Sequence, residues 1–271
     1  MSISERTGEY KKAVIELFDT RIDYHRSALH ARVADNLVQL AAPKLGDKVL
    51  DLATGTGFVA LRVARLVGAR GSVVGVDLSS GMLKQAEQAA HDERIDNVKF
   101  IQADAENFNY RNERFDLIFC CNALAYMSDI PSALRHWHAL LRHGGRIALN
   151  CWSEDSYVTG HLLRTVAARH GIHVAVIGRV IATSNRCRNV LSNAGFLQVQ
   201  VTAEPTAKYF SVEQLESMPE SAMKNPLYRI KSKDAGALRE VIDEYIAEAR
   251  SEPVRNAINA EIGAFFVLAC K

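Results

Sequence analysis

The stretch that decides the fold is Val49-Leu50-Asp51-Leu52-Ala53-Thr54-Gly55-Thr56-Gly57-Phe58. Apolar residues lead to a carboxylate, and a Gly-x-Gly turn then opens a segment of helical periodicity. Glycine at 55 and 57 permits a tight turn and lets a ligand approach without meeting a Cβ. Further on, Val73-Val74-Gly75-Val76-Asp77 is a second apolar run ending in an acid. A carboxylate at that point can accept from both hydroxyls of a ribose.

Outward from this unit, short apolar runs alternate with helix-length segments. Strands are predicted over Val49–Leu52, Ser72–Asp77, Val98–Gln102, Phe115–Cys121 and Arg146–Cys151, and helices over Phe58–Val67, Gly81–His91, Pro131–Leu141 and Tyr157–His170. That order implies a parallel sheet covered on both faces. Gly144-Gly145 reads as a tight turn into the fifth strand. Tyr10, Val14, Leu17 and Phe18 recur at helical spacing, as do Leu29, Val33, Leu37 and Leu40, so two amphipathic helices precede Pro43. After residue 195 the alternation stops. Phe196–Val201 and Ile262–Cys270 read as strands, separated by a polar, helix-prone insert too long for bare loop.

Composition narrows the classes. The 271 residues are 48% apolar and 24% charged, with 33 basic against 31 acidic side chains, the balance of a globular enzyme. No basic block suited to a nucleic-acid backbone is present; Arg186 and Arg188 are the nearest approach. The first ten residues are polar and mixed in charge, unlike a secretory signal, and no apolar run is long enough to span a bilayer. A cytoplasmic location is expected. Cys120, Cys121, Cys151, Cys187 and Cys270 lack metal or redox spacing and read as free, buried thiols.

Gly55-x-Gly57-x-x-Ala60 also satisfies the nicotinamide-dinucleotide pattern, with Asp77 where that pattern places its ribose acid. Asp51 separates the two readings. A dinucleotide lays a doubly anionic pyrophosphate over such a turn, where a neighbouring carboxylate raises the energy of binding. S-adenosylmethionine presents an ammonium and a sulfonium, which a carboxylate favours.

The run DLATGTGFVAL resembles motif I of the class I S-adenosylmethionine-dependent methyltransferases. VVGVDLSSGML, NVKFIQADAENF, FDLIFCCNALAYM and ALLRHGGRIALN agree with the family in order and spacing over roughly residues 40 to 155. The likeness leans toward the branch of quinone-biosynthesis C-methyltransferases and natural-product enzymes. It implies an α/β, Rossmann-like parallel sheet with an antiparallel last strand. It also implies a helical lid over 1–42, a cofactor-binding core over 43–203, a helical cap insert over 204–260 and a last core strand over 261–271. Position by position, Asp51, Ala53, Gly55 and Gly57 would hold the methionine moiety of S-adenosylmethionine. Asp77 would take the ribose, and Leu78 and Met82 the adenine faces. Asp104, with Ala105 beside it, would take the adenine amino group, and Asn122 the cofactor's amino group. The Asn/Asp-Pro-Pro-Tyr/Phe sequence of base and glutamine N-methylating families is replaced by Asn122-Ala123-Leu124-Ala125, which argues against that chemistry. His143 stands where the family often has proline.

The implied activity is methyl transfer to a small organic acceptor at carbon, oxygen or nitrogen, in quinone or secondary metabolism. The partners are then a small molecule, with no nucleic acid and no membrane span; a homodimer is allowed for. The alternative is a protein that binds S-adenosylmethionine while catalysing another reaction, such as a cyclisation. Tyr24, His25 and Tyr126 are the candidates for a general base, with His173 ranked beside Tyr24 and His25, and Trp152 is a candidate to line the acceptor pocket. His136, His138 and His143 lack companion acids or cysteines and read as a solvated face rather than a metal site. Arg164 and Arg169 read as surface charges.

Overall fold

The computed structural model describes residues 3–22, 24, 27–110, 113–152, 158–175, 178–206, 212–228, 230, 234–251 and 262–271. β1 (Lys48–Leu52), β2 (Ser72–Asp77), β3 (Val98–Gln102), β4 (Phe115–Cys120) and β5 (Leu141–Trp152) are joined in parallel. β6 (Leu197–Thr206) and β5 both pair antiparallel with β7 (Ile262–Cys270). The sheet order is β3-β2-β1-β4-β5-β7-β6. Strand order reverses between β1 and β4, the place where open α/β sheets leave a crevice at the carboxyl ends of their strands.

The central strands are buried on both faces: β1 is covered from Val49 onward and β4 at five of its six positions. One face packs on α2 (Ala28–Ala41) and α3 (Phe58–Val67) through Val33, Leu37, Val63, Leu117 and Phe119. The other packs on α5 (Ile130–Leu140) and α7 (Ser184–Asn193) through Trp137, Leu134, Ile147, Leu149 and Leu191. Burial of each large apolar side chain contributes about 1.5–3 kcal/mol. Trp137 is fully buried and its indole donates to the Ala105 carbonyl at 2.8 Å, so its one polar atom is satisfied.

α4 (Ser80–Asp92) packs on β3 and β2, and α1 (Ile3–Asp19) packs on α4. α6 (Val158–Arg169), α8 (Val212–Lys224) and α9 (Ala235–Ala249) build a separate small core around Leu163, Val166, Tyr228 and Tyr245. Arg169 is more than a surface charge. It pairs with Glu244 and Glu248 of α9 and ties α6 to that helix.

Three local readings change. The fifth strand begins at Leu141 rather than Arg146: Phe115 pairs with Leu141, a register shift follows, and regular pairing resumes at Leu117–Arg146. Gly144 (φ 72°) lies inside that irregularity, so the glycines make a bulge rather than a turn before the strand. β6 extends to Thr206, past Val201. α7 was not anticipated; its apolar stripe is only Cys187, Val190 and Leu191, too few to stand out among polar neighbours. Thr183 caps it through the Arg186 N–H.

Candidate active site

The turn after β1 holds Ala53, Gly55 and Gly57 at φ 53°, 56° and 82°, all left-handed. The two glycines serve different ends. A Cβ built on Gly55 meets nothing within 4 Å, whereas one on Gly57 comes within 3.3 Å of Ala86 and Leu61 side chains. Gly55 keeps the cleft floor bare, and Gly57 lets α3 pack against α4.

Asp51 is the penultimate residue of β1 and is buried. Its carboxylate accepts from Thr54 Oγ1 at 2.6 Å and from the Ala60 N–H at 3.1 Å. Burial outweighs these bonds and pushes its pKa up to about 7; among the described residues it has no ion pair. Asp77 ends β2, and its two oxygens accept from the Gly55 N–H at 2.8 Å and the Ser79 N–H at 2.9 Å. Burial raises its pKa, with those backbone donors opposing. Ser79 caps α4, which places buried Met82 in the first turn beside Leu78. Asp104 follows β3; it accepts from the Glu106 N–H at 3.0 Å and forms an ion pair with Lys11 of α1.

At the tip of β4, Asn122 is left-handed (φ 55°) and held reciprocally. Its N–H donates to Asn150 Oδ1 and its Oδ1 accepts from Asn150 Nδ2, both at 2.7 Å. Nine of the ten residues predicted to hold the cofactor line one cleft; Gly57 stands outside its lining. About 930 Å³ of empty space lies within the cleft, open solvent at its mouth included.

The roof of the cleft is aromatic and comes largely from the N-terminal segment. Phe18 sits edge-on to Tyr126 with ring centroids 5.2 Å apart, and Tyr24 lies 4.6 Å from the His30 ring. Asp19, at the end of α1, accepts from Ser79 Oγ at 2.5 Å and from the Gly81 N–H at 3.0 Å. Tyr10 Oη donates to the Tyr126 carbonyl at 3.1 Å. Lys11 bonds Asp104 and lies 3.0 Å from Glu106. Burial works against its charge, but those two carboxylates hold its pKa above the usual lysine value.

Of the base candidates, Tyr24 and Tyr126 both line the cleft. Burial pushes the pKa of each phenol up, which keeps both protonated as hydrogen-bond donors and leaves neither as a base near neutral pH. His25 lies outside the described residues. His173 is exposed and absent from the lining. Trp152 packs in the apolar layer with α2 and α3 instead of facing the cleft. His136 and His138 are not a solvated face. His136 Nε2 bonds the Phe108 carbonyl at 2.7 Å, and His138 packs edge-on to Phe196 at 5.0 Å. Both brace α5 against its neighbours. His143 is exposed.

Four contributors escaped the sequence reading: Lys11, His30, Glu106 and Asn150. A buried asparagine inside the apolar run Ile147–Cys151 was the one visible signal. Glu106 accepts from the Ser128 N–H and Oγ at 2.9 Å, a loop contact with no local periodicity. Residues 212–249 contribute no described residue to the lining. Their nearest approach is a hydrogen bond between Asn225 and Tyr126.

Residues 43–195 match the methyltransferase domain family. The chain belongs to it. This methyltransferase-domain chain is 32% identical over 144 residues to the aklanonic acid methyltransferase DauC of Streptomyces sp. strain C5, covering 52% of this chain and 66% of that one. It is 32% identical over 185 residues to the ubiquinone/menaquinone biosynthesis C-methyltransferase UbiE of Marinomonas sp. strain MWYL1, covering 65% and 72% respectively. Against DauC and two other UbiE relatives, the chain spans 66%, 61% and 54% of their lengths. In fold it resembles the YcgJ protein of Bacillus subtilis, with a TM-score of 0.61, 19% identity, and coverage of 89% of this chain and 98% of that one. No described helix is long and apolar enough to cross a membrane.

Proposed function

We propose that this chain transfers the methyl group of S-adenosylmethionine to a small-molecule acceptor. The observation that carries the reading is Asp51, a buried carboxyl at the cleft floor whose pKa is driven to about 7 by burial. A cationic ligand relieves that cost and a diphosphate adds to it. The surrounding residues fit the same cofactor. Asp51 and the backbone around Ala53 and Gly55 face the methionine ammonium and carboxylate, with Asn122 beside them. Asp77 takes the ribose hydroxyls, Leu78 and Met82 hold the adenine between apolar walls, and Asp104 accepts from its amino group.

When bound, S-adenosylmethionine supplies an electrophilic methyl on a good leaving group. The protein's share is alignment and exclusion of water. Lys11, Asp19 and Tyr10 hold α1 over the cleft, and Phe18, Tyr24, Phe58 and Tyr126 present an apolar wall for the acceptor. Alignment of this kind supplies on the order of 7–11 kcal/mol. The UbiE and DauC relatives support an acceptor from quinone or secondary metabolism. The helical segments at either end of the chain are proposed to frame the acceptor side, α1 directly and 212–249 through Asn225 and Tyr126.

Incubation with methyl-labelled cofactor and a metabolite extract tests this. The expected result is label in a small molecule with stoichiometric S-adenosylhomocysteine. Label confined to protein or RNA overturns the acceptor class, and turnover without S-adenosylhomocysteine overturns methyl transfer.

A further inference from the structure

The cysteines lack redox spacing in the sequence, yet the fold brings two of them into contact. Cys151 is the last buried residue of β5, and Cys187 stands on the buried stripe of α7, 36 residues further on. Their sulfurs are 3.2 Å apart, and both side chains are buried. Disulfide sulfurs lie about 2.05 Å apart, which leaves a gap of about 1.1 Å to close. Cys120, on the strand beside β5, is the third thiol of this apolar layer.

The two thiols also share a partner. The Ile181 carbonyl accepts from Cys187 Sγ at 2.9 Å and from Cys151 Sγ at 3.4 Å. Ile181 is buried, and among the described residues these thiols are the donors to its carbonyl. Its own N–H donates to the Gly178 carbonyl at 2.7 Å and closes a turn. That turn lies against the cleft wall: a Cβ built on Gly178 would come 3.7 Å from Ala125 Cβ. Ala125 sits within the 3-10 turn Leu124–Tyr126, which carries the aromatic wall residue Tyr126. Loss of the thiol protons would therefore leave a buried carbonyl without donors, a costly state, directly behind that wall.

We propose that Cys151 and Cys187 form a redox modification site, which hydrogen peroxide converts to a disulfide that frees the Ile181 carbonyl and loosens the turn behind Tyr126. The site stands apart from the methyl-transfer reading. One sulfur attacks a peroxide oxygen, the oxygen–oxygen bond breaks, and a sulfenic acid and water form. The second sulfur then displaces that hydroxyl as water and makes the sulfur–sulfur bond. Two thiols are oxidised, one peroxide is reduced to two waters, and those waters take up both thiol protons. The hydrogen bond with Cys187 and burial hold the Cys151 thiol well above its usual value, which makes the reaction slow. Both sulfurs are buried, so the oxidant must be small and uncharged.

The test treats the full-length protein with hydrogen peroxide and reads an unreduced tryptic digest by mass spectrometry. The expected product joins residues 147–164, which hold Cys151, to the dipeptide Cys187-Arg188, and dithiothreitol should release both. Hydrogen exchange of the amides at 178–183 should quicken several-fold in the oxidised protein. It should stay unchanged in peroxide-treated C187S, whose hydroxyl can still donate to Ile181 but cannot form the link. No link, or a link through residues 115–135, which hold Cys120 and Cys121, overturns the site. A link that leaves exchange at 178–183 unchanged overturns its action on the turn. Should C187S fail to fold, wild type reduced again after oxidation is the control, and its exchange must return to the starting rate.

Discussion

Lowering the pH should weaken cofactor binding through Asp51, by an amount that follows from its pKa of about 7. The ligand's ammonium pairs with the carboxylate form, so the free protein must first lose that proton. At pH 5, two units below, about one molecule in a hundred is ionised. Affinity should then fall roughly 100-fold from its plateau, about 2.7 kcal/mol, since each unit is worth about 1.4 kcal/mol. At pH 6 the loss is about 10-fold. Calorimetric titration of S-adenosylhomocysteine, which keeps the ammonium, measures this between pH 5 and 8. Repeating it at pH 6 in buffers of different ionisation enthalpy should show nearly one proton released. Asp77 is also shifted upward and adds its own slope, so D51N is the necessary control: it should bind weakly and lose most of the dependence between pH 5 and 7. The sign for stability is opposite. A carboxyl whose folded pKa is raised contributes stability fully below its unfolded value, and that contribution disappears as pH rises through about 7. D51N should therefore melt higher than wild type at pH 8 without ligand, and this advantage should vanish near pH 4. Equal pH slopes in wild type and D51N would refute the charge argument for the cofactor.

The two motif glycines should separate. G55A and G57A both place alanine at positive φ, at about 1–2 kcal/mol each, but only the second also crowds Ala86 and Leu61; G57A should show the larger drop in melting temperature and G55A the larger loss of S-adenosylhomocysteine affinity. K11M removes the cation shared by Asp104 and Glu106 and should cost about 1–3 kcal/mol, read as a lower melting temperature and faster proteolysis within α1. N150A strips both partners from Asn122 and should cost a similar amount, with weaker S-adenosylhomocysteine binding in calorimetry.

The cofactor side of the cleft was readable because its determinants are local. Asp51 and Asp77 at the carboxyl ends of β1 and β2, and Asp104 just beyond β3, stand where short apolar runs give way to turns. Their spacing alone brings them to one edge of a parallel sheet. Asn150 was harder to place. Its meaning depends on Asn122, 28 residues away across two strands, and no pattern within either strand announces the pair. The roof was harder again. Phe18 has the apolar periodicity of any amphipathic helix, and whether that stripe covers a core or a ligand depends on where α1 docks. Asp19 on Ser79 and Gly81 fixes that docking, a contact 60 residues apart in the chain. The histidines of α5 misled for the related reason that a polar side chain on a helix reads as solvated until its neighbour is known.

The floor and the roof meet at one carboxylate, and this bears on how the site opens. Asp104 gives one oxygen to the Glu106 N–H and the other to Lys11. An ionised carboxylate has about four lone-pair positions, so in the proposed complex the adenine amino group joins Lys11 there without displacing it. Two donors then converge on the same acceptor, one from the ligand and one from α1. The lysine's charge complements the carboxylate that accepts the ligand's hydrogen bond, and a seated ligand excludes the water that would otherwise compete with the lysine. Closure of α1 and occupancy of the cleft are on this geometry mutually favourable, and by linkage each strengthens the other equally. The acceptor wall of Phe18 and Tyr126 is built on that same helix and the loop it grips, so a ligand seated on the floor steadies the wall. Product-inhibition kinetics should accordingly show ordered binding, cofactor first and then acceptor, and random order would refute this coupling.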